Sequence, residues 1–335
     1  MRAPSFWWRE ADLAAAALAP LATLYGALAS RRMQQPGERA GIPVLCIGNF
    51  TLGGAGKTPT AIAVGQFLKA TGWEPFFLSR GYGGSLAGPV GVDPARHAAR
   101  EVGDEPLLLA RTAPTIVSRD RRAGAAAARA AGAGVVVMDD GFHNPDLIKD
   151  VTILVVDAAR GIGNGRVFPA GPLRAPLELQ LKQLQAARAH ALVVIGEGAG
   201  GAAIEAAIRQ APVFHARLVA DTSALVRLAG ASVLAFAGIG DPQKFFATLD
   251  AEGITAPVRR AYPDHHHYSR REVAALIAEA ERRDLLLLTT EKDSARLAGD
   301  PAGAELAQRA RALPVRLVLE DEEGFRRFVL GGIGG

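Results

Sequence analysis

The chain has 335 residues, of which 49% are hydrophobic and 21% are charged, and its formal net charge is +4. This composition is typical of a folded protein and excludes an intrinsically disordered chain. The length is large for one hydrophobic core, so we expect two domains. The chain contains no lysine-rich cluster with interleaved aromatic residues, which argues against nucleic acid as a partner.

The first 35 residues have the composition of a segment that meets a membrane surface. Residues 13–29 carry no charge and are rich in alanine and leucine. The run is too short and too weakly apolar to predict a transmembrane span, and Pro20 interrupts it. Its aromatic and basic flanks suit a bilayer interface, although a helix packed on the protein's own core is the alternative. These flanking residues are Arg2, Phe6, Trp7, Trp8, Arg9, Arg31 and Arg32.

From residue 42 onward, short apolar runs alternate with helical or loop segments. This alternation predicts a doubly wound, mostly parallel α/β sheet with functional loops at the carboxyl ends of its strands. We expect the strand that ends at Ser79 to lie beside the strand that ends at Gly48. The pattern loosens after Gly196 and then resumes, which indicates a second, smaller α/β domain. Strands are predicted near 42–48, 75–79, 115–118, 134–138, 151–157, 233–236, 285–289 and 315–319, and helices near 119–132 and 270–283.

The most informative motif lies at residues 42–58, where a strand, a glycine-rich loop and a helix follow one another. This order is the phosphate-binding arrangement of P-loop enzymes, in which loop amides and the helix N-terminus hold anionic oxygens. Lys57 would reach the β- and γ-phosphates of ATP, and the Thr58 hydroxyl would bind Mg²⁺. The strict motif has glycine where Thr51 stands. The predicted nucleotide-binding residues are Thr51, Gly53, Gly54, Ala55, Gly56, Lys57 and Thr58.

A second apolar strand ends in two carboxylates, Asp139 and Asp140. In P-loop enzymes such a Walker-B carboxylate holds Mg²⁺ beside the hydroxyl of the loop threonine. The sequence does not choose between the two aspartates. A pair of aspartates that caps the following turn is the alternative.

Two further loops carry candidate substrate-binding residues. The glycines around Arg80 and Tyr82 suggest a close approach to an anionic or sugar-like ligand. Residues 163–174 form a long loop without regular period, and such loops are more often functional than accidental. Its arginines could neutralise phosphate charge, or they could simply be solvated. The candidates are Arg80, Tyr82, Asn164, Arg166 and Arg174.

The histidine cluster at residues 265–267 follows Asp264. Neighbouring side chains diverge, so three adjacent histidines do not easily bind one metal ion. We therefore favour an Asp-His pair in acid–base chemistry over a metal site. The Gly-Asp-Glu-Pro sequence that contains Asp104 has the form of a helix N-terminus with an acidic first turn.

In this order, these motifs resemble those of the tetraacyldisaccharide 4'-kinase family, the lipid A kinases of Gram-negative bacteria. Thr51 in place of the P-loop glycine is a feature of that family. Ala175 departs from the family pattern, which usually has glutamate there, and His143-Asn144 replaces the usual Gln-His. The matching segments lie at 48–59, 79–83, 103–106, 139–142, 165–174, 264–265 and 290–293.

The resemblance implies ATP- and Mg²⁺-dependent phosphorylation of the 4'-hydroxyl of a tetraacyldisaccharide 1-phosphate lipid A precursor, at the cytoplasmic face of the inner membrane. It also implies that Asp104 acts with His265 on the acceptor hydroxyl, and that no obligate protein partner is needed. The expected domains are a membrane-associated helix over 1–35, a P-loop kinase domain over 36–217, and a smaller α/β domain with a two-stranded hinge over 218–335.

Two other functions are compatible with parts of the sequence. The first is a membrane-tethered P-loop ATPase switch that acts on a protein partner, because the P-loop alone does not separate a switch from a kinase. The second is a metal-binding module that uses residues 265–267. The arginine-bearing loop at 163–174 and the Asp264-His265 pair favour a kinase, which needs an acceptor site.

Overall fold

The computed structural model describes residues 4–9, 12–208 and 211–334, which form two sheets with helices on their faces. The strands are β1 Val44–Gly48, β2 Pro75–Ser79, β3 Val90–Gly91, β4 Thr115–Val117, β5 Val135–Asp139, β6 Val151–Asp157, β7 Ala189–Ile195, β8 Val213–Ala220, β9 Ser232–Ala237, β10 Thr255–Ala261, β11 Leu286–Thr290, β12 Arg311–Leu313 and β13 Val315–Leu319. The helices are α1 Leu13–Ala17, α2 Ala19–Met33, α3 Lys57–Ala70, α4 Ala99–Val102, α5 Asp104–Leu109, α6 Arg121–Ala130, α7 Leu177–Gln185, α8 Ala199–Ala207, α9 Thr222–Leu228, α10 Pro242–Ala251, α11 Arg270–Arg282, α12 Glu291–Ala298, α13 Ala304–Arg309 and α14 Glu322–Ile333.

The larger sheet has nine strands in the order β13-β8-β7-β6-β1-β5-β2-β4-β3. All neighbours are parallel except β3 and β13, which are antiparallel edge strands. The predicted mostly parallel α/β fold is therefore confirmed. The expectation that β2 lies beside β1 is wrong, because β5 lies between them. In a parallel sheet, a crossover connection can leave room for another strand between two strands that are consecutive in the chain. Here β5 occupies that position, which brings the carboxylates at its end beside the loop after β1.

Both faces of the larger sheet are buried, as the continuous apolar strands require. Successive residues of β1 point to opposite faces, so Leu45 and Ile47 join one core cluster and Cys46 joins the other. Helices α3 and α14 cover the first face, whereas α6, α7 and α8 cover the second. Because the core fixes β1 and β5 from both sides, the loops at their carboxyl ends project from a rigid base.

The smaller sheet has four parallel strands in the order β10-β9-β11-β12. Helix α10 packs on one face through Phe245 and Phe246, and α11 packs on the other through Leu276 and Ile277. We call residues 221–314 the small lobe and the rest of the described chain the large lobe. The chain enters the small lobe after β8 and leaves it before β13, and these two strands pair antiparallel.

The expected domain boundaries stay a prediction, but one part of the chain lies elsewhere than expected. Strand β13 and helix α14 fall within 218–335, which we assigned to the smaller domain, yet both pack on the larger sheet. The reason is that β13 returns as an antiparallel edge strand. Such a return needs no crossover helix, so no change in the sequence pattern marks it.

Helix α2 packs on the rest of the large lobe through one narrow face that contains Ala22, Gly26 and Met33. A Cβ atom built on Gly26 would lie 3.6 Å from Pro176 and Val167, so the two elements are in close contact. The opposite face of α2 and the start of α1 are apolar and more than half exposed at Leu13, Leu21, Leu24 and Leu28. No helix in the described part of the chain has the length and apolarity needed to cross a bilayer. Arg2, one of the predicted basic flanks, lies outside the described residues.

Candidate active site

The loop between β1 and α3 adopts the cradle that its glycines predict. Gly53 and Gly56 have φ angles of 101° and 93°, in the left-handed region that favours glycine. A Cβ atom built on Gly53 or Gly54 would have no described atom within 4 Å, so an anion can approach the backbone there. Helix α3 begins at Lys57, and its first amides and dipole point toward the same space.

Lys57 and Thr58 are both buried at the base of this cradle. The Lys57 Nζ atom donates to the Gly53 carbonyl over 3.2 Å and lies 3.9 Å from Asp140 Oδ1. Burial lowers the pKa of the Lys57 ammonium, and the Asp140 carboxylate opposes this shift. Asn49 also donates to the Gly53 carbonyl, over 3.3 Å. Lys57 and Asn49 therefore both hold the loop through the Gly53 carbonyl.

The two aspartates at the end of β5 have different surroundings. Asp139 is 1% exposed, and neither of its carboxylate oxygens has a hydrogen-bond partner among the described residues. Burial, with the nearby charges of Glu105 and Asp140, raises the pKa of Asp139 to about 7. Burial also opposes ionisation of Asp140, but Arg174 and Lys57 outweigh it and hold the pKa of Asp140 well below its usual range. Asp140 is thus paired with cationic side chains, whereas the Asp139 oxygens have no described hydrogen-bond partner.

Two arginines surround the aspartate pair. Arg174 donates through Nη2 to Asp140 Oδ2 over 2.9 Å and through Nε to the Thr51 carbonyl over 3.0 Å, so it ties the P-loop to the end of β5. Arg121 begins α6 and is buried, and Asp140 and Asp139 partly offset the burial that lowers its pKa. Arg121 was not among the residues predicted from the sequence. Its position just after β4, at the carboxyl edge of a parallel sheet, is the signal that could have found it.

Asp104 and His265 meet across the two lobes. Asp104 begins α5 in the large lobe, and its Oδ2 atom lies 3.3 Å from Nδ1 of His265 in the small lobe. Burial opposes ionisation of Asp104, but the contact with His265 and the charges of Lys292 and Arg296 hold its pKa below the usual range. The Asp104 carboxylate in turn raises the pKa of His265. The contact therefore favours an ionised Asp104 and a protonated His265.

The remaining predicted residues divide into two groups. Tyr82 is 67% exposed, and its ring centroid lies 5.1 Å from that of His265, at the mouth of the cleft between the lobes. Arg80 is exposed beside Tyr82. Asn164, by contrast, is engaged in its own loop: its amide donates to the carbonyls of Phe6 and Ala170 over 3.3 and 2.9 Å. Arg166, two residues further along the same loop, is exposed.

Charged pairs and close backbone contacts hold the small lobe on the large one. Lys292 of α12 contacts Glu105, the neighbour of Asp104, and Lys244 of α10 contacts Asp157 at the end of β6. A Cβ atom built on Gly240, at the start of α10, would lie 3.6 Å from the amide nitrogen of Gly54 in the P-loop. The small lobe therefore closes directly over the predicted phosphate site. The ion pair between Arg160 and Asp241, at 2.7 Å, lies on the same side.

The histidine cluster does not converge. His266 stacks on Tyr262 at a centroid distance of 4.7 Å, and its Nε2 atom lies 3.1 Å from Glu272 Oε1, while His265 faces Asp104. Within the described ranges, no group of three or more histidine, cysteine, aspartate or glutamate side chains is arranged to hold a metal ion. His265 and His266 therefore face different partners and do not share one site.

The two family departures occupy structural positions. His143 donates through Nε2 to Gln180 Oε1 over 2.8 Å, and burial lowers the pKa of His143 to about 3. Ala175 is fully buried, and its carbonyl accepts from Gln180 Nε2 over 2.7 Å. Gln180 thus links the two positions, in the core beneath the site.

Comparison with known proteins identifies the family. A family model described as tetraacyldisaccharide-1-P 4'-kinase matches residues 14–333. A tetraacyldisaccharide 4'-kinase of Methylobacterium radiotolerans is 56% identical over 100% of this chain and 99% of its own length. One of Nitrobacter hamburgensis is 53% identical, with 100% and 99% covered. Another, of Nitrobacter winogradskyi, is 52% identical, with 99% and 98% covered.

A solved structure shares the fold. The "apo" form of LpxK from Aquifex aeolicus, in complex with ATP, has a TM-score of 0.71 and 24% sequence identity, and the match covers 96% of this chain and 100% of that one. Together with the full-length relatives, the match of the family model to residues 14–333 establishes that this chain belongs to the tetraacyldisaccharide 4'-kinase family.

Proposed function

We propose that this protein transfers the γ-phosphoryl group of ATP to the 4'-hydroxyl of a tetraacyldisaccharide 1-phosphate, a step of lipid A biosynthesis. The observation that carries the proposal is the Asp104–His265 pair, which faces the same cleft as the P-loop and joins the two lobes at 3.3 Å. An ATPase switch needs no such acceptor-side pair. ATP as co-substrate is supported by the P-loop geometry and by the nucleotide bound to the structurally similar Aquifex aeolicus protein.

The P-loop and its lysine would hold the triphosphate. Phosphoryl transfer passes through a loose transition state, so the protein acts mainly by positioning groups and stabilising charge. The open space beside Gly53 and Gly54 admits phosphate oxygens to the loop amides. Lys57, which now donates to the Gly53 carbonyl, would turn its ammonium toward the β- and γ-phosphates. Arg174 would add positive charge from the opposite side.

The residues present fit a magnesium ion. Mg²⁺ in kinases is typically held by one or two carboxylates together with substrate phosphates, so a larger protein cluster is not required. A buried carboxylate without a partner is unfavourable, and Asp139 has two such oxygens. Asp139 and the Thr58 hydroxyl would hold the ion, and Asp140 would contribute charge while it stays bound to Arg174. When bound, Mg²⁺ would neutralise charge on the β- and γ-phosphates.

Asp104 would serve the acceptor hydroxyl. In a loose transition state the hydroxyl loses its proton late, so Asp104 first orients the hydroxyl and then accepts the proton. His265 would stabilise the carboxylate before transfer and relay or share the proton afterwards. The small lobe, docked over the cleft, would exclude water that could otherwise hydrolyse ATP. Tyr82, beside His265, and Arg80 would line the acceptor side, and Arg166 is a further candidate at the surface.

The apolar face of α1 and α2 would lie on the cytoplasmic face of the inner membrane. Four leucines of α1 and α2 are more than half exposed, and the partly exposed Tyr25 of α2 contacts Phe168 of the 163–174 loop at a ring-centroid distance of 5.2 Å. Such a face is typical of helices that lie in the membrane interface. It would bring the protein to a substrate whose acyl chains stay in the bilayer. The leucines are Leu13, Leu21, Leu24 and Leu28.

One assay tests the proposed function. Purified protein is incubated with ATP, Mg²⁺ and the lipid disaccharide 1-phosphate, and the lipid is analysed by mass spectrometry. The proposal predicts one added phosphate per disaccharide, located at the 4'-position. Release of inorganic phosphate without lipid product would instead indicate a switch, and the absence of both products would indicate a binding module.

A second experiment tests the membrane role. A variant without residues 1–35 should no longer be found in membrane fractions, and unchanged partitioning would contradict the membrane role.

A further inference from the structure

A buried ion pair in the small lobe lies next to the Asp104–His265 pair, and the mechanism above does not use it. Arg296 and Asp293 lie one turn apart on α12 and are 6% and 0% exposed. Arg296 Nη2 donates to Asp293 Oδ1 over 2.8 Å and to the Gly238 carbonyl over 2.7 Å. Removing two charges from water is costly, and such pairs are often replaceable by apolar side chains without loss of stability. Stability alone is therefore a weak explanation for this pair.

The remaining edge of the Arg296 guanidinium faces Asp104. Its Nε atom lies 3.4 Å from Asp104 Oδ2, the same oxygen that His265 Nδ1 approaches, although Nε donates its hydrogen to the Lys292 carbonyl over 3.3 Å. The other oxygen, Asp104 Oδ1, accepts from the Glu105 amide over 2.9 Å. One carboxylate oxygen is thus fixed by its own helix, and the other lies between two cationic groups of the small lobe.

Asp293 also fixes the loop that carries His265. The Gly238 amide donates to both Asp293 oxygens, over 3.0 and 3.1 Å, and the Gly238 carbonyl accepts from the His265 amide over 3.1 Å. The Tyr268 hydroxyl donates to Asp293 Oδ1 over 2.7 Å. A single buried carboxylate therefore anchors both small-lobe groups that contact Asp104.

We propose that Arg296, anchored by Asp293, is a positioning residue that holds the Asp104 carboxylate in the orientation that serves the acceptor hydroxyl. The proposal rests on the proposed function, because that hydroxyl belongs to the lipid acceptor. Oδ2 has no hydrogen bond of its own, so the attraction of the buried guanidinium charge, rather than a hydrogen bond, favours the orientation in which Oδ2 faces the small lobe. His265 and Arg296 both belong to the small lobe, so Asp104 is fully oriented only when the lobes are docked.

Arg296 also acts on the charge of Asp104. The ionisable groups that face Asp104 are His265, Lys292 and Arg296 from the small lobe and Glu105 from its own helix. A cation within 4–6 Å typically lowers the pKa of an aspartate by about 1–3 units. Loss of the Arg296 charge should therefore raise the pKa of Asp104. The acidic limb of the pH–activity profile, where protonation of Asp104 abolishes activity, should then move to higher pH.

The test compares Arg296→Met and Arg296→Lys with Tyr268→Phe as the matched control. Tyr268→Phe removes a different donor from the same Asp293 oxygen and leaves the contacts of Asp104 in place. For each variant, kcat, the pH profile of kcat/KM and Tm are measured, and the Asp104 carboxyl is titrated by ¹³C NMR. Arg296→Met should lower kcat by about 10²-fold, as for a displaced catalytic group, and raise the Asp104 pKa by about one unit.

The variants separate positioning from a purely structural role. Arg296→Lys keeps the charge but not the guanidinium geometry. The acidic limb of its pH profile should therefore match that of the wild type, while its kcat stays reduced. Tyr268→Phe should lower Tm without moving that limb. Wild-type kcat in Arg296→Lys, or a Tyr268→Phe profile that shifts as far as that of Arg296→Met, would overturn the proposal. If Arg296→Met does not fold, Arg296→Lys and Tyr268→Phe still decide the question.

The carboxyl titration separates this inference from the proposed function. If the wild-type protein forms no phosphorylated lipid, the proposed function fails, but the Asp104 pKa can still be compared between variants. An Asp104 pKa that is the same in the wild type, Arg296→Met and Arg296→Lys would overturn the role of Arg296. A higher pKa in Arg296→Met alone would support that role whether or not the lipid is phosphorylated.

Discussion

The nucleotide side and the acceptor side of the cleft are built in different ways. The nucleotide side uses neighbours in the larger sheet: the loop after β1 carries Lys57 and Thr58, and the adjacent β5 ends at Asp139. The acceptor side joins Asp104 of the large lobe to His265 and Arg296, more than 150 residues away. Under the proposed function, the sheet would hold the ATP phosphates at all times, whereas the acceptor side would be complete only when the small lobe is docked. The phosphate donor site would then be permanent and the acceptor site conditional.

The largest expected loss of turnover comes from a change on the nucleotide side of the cleft. Lys57→Ala removes the cation at the base of the cradle, and loss of one preorganised stabiliser of charge commonly lowers kcat by about 10²–10³-fold. Lys69→Ala, at the exposed end of the same helix, is the control and should retain wild-type turnover. Turnover and ATP affinity are measured for both. Equal turnover in the two variants would mean that Lys57 does not contact the transferred phosphate.

A loss of about 10²-fold in kcat is expected for Asp104→Asn, because a general base typically contributes at least that factor. The amide keeps the size of the side chain but cannot accept the proton. ATP affinity should remain near that of the wild type, since the P-loop is untouched. Asp93→Asn, in an exposed turn, is the control. Wild-type turnover of Asp104→Asn on the lipid would remove Asp104 from the mechanism.

Membrane partitioning should depend on the exposed leucines of α2. Substitution of Leu21, Leu24 and Leu28 by serine should weaken vesicle binding by at least about 10²-fold, because full burial of a leucine contributes about 1.5–3 kcal/mol and 57–62% of each of these side chains is free to be buried. The fold should persist, since these side chains are exposed. Val226→Ser, at an exposed apolar residue of the small lobe, is the control. Vesicle sedimentation that is unchanged in the triple variant would contradict the membrane face.

The smallest expected effect is a pH dependence of lobe docking. The pKa of His265 is raised in the folded protein by Asp104, so the pair stabilises the fold fully below the unfolded histidine pKa of about 6.5. That contribution is lost as the pH rises through the higher folded value. The Tm of the wild type should therefore exceed that of His265→Gln most at pH 6, and the difference should shrink toward pH 9. A constant difference would mean that the pair does not titrate.

Sequence reasoning succeeded where function depends on local order. The P-loop, the carboxylates after β5 and most strands follow from short patterns, because phosphate binding needs a strand, a turn and a helix that are consecutive in the chain. The prediction that β2 lies beside β1 was wrong, because patterns along the chain do not encode which strands become neighbours in the sheet. The return of β13 to the larger sheet was missed for the same reason.

The acceptor side was only partly predictable. The resemblance to the kinase family paired Asp104 with His265, but the residues alone gave only a helix N-terminus and a histidine cluster. Arg296 lies just beyond the matched segment at 290–293, and its burial and its contacts with Gly238 and Asp104 are set by tertiary packing. Asn164 was a candidate for substrate binding, yet its amide is engaged by the carbonyls of Phe6 and Ala170. Its role, like those of the other predicted site residues, stays a prediction.

A double-mutant cycle between the lobes tests the central claim most directly. Lipid phosphorylation is measured for the wild type, Asp104→Asn, His265→Gln and the double variant at a fixed pH. If Asp104 and His265 act as one unit, the double variant should have the turnover of Asp104→Asn alone, since His265 has no other route to the acceptor hydroxyl. Independent effects that multiply in the double variant would contradict an acceptor site assembled from both lobes.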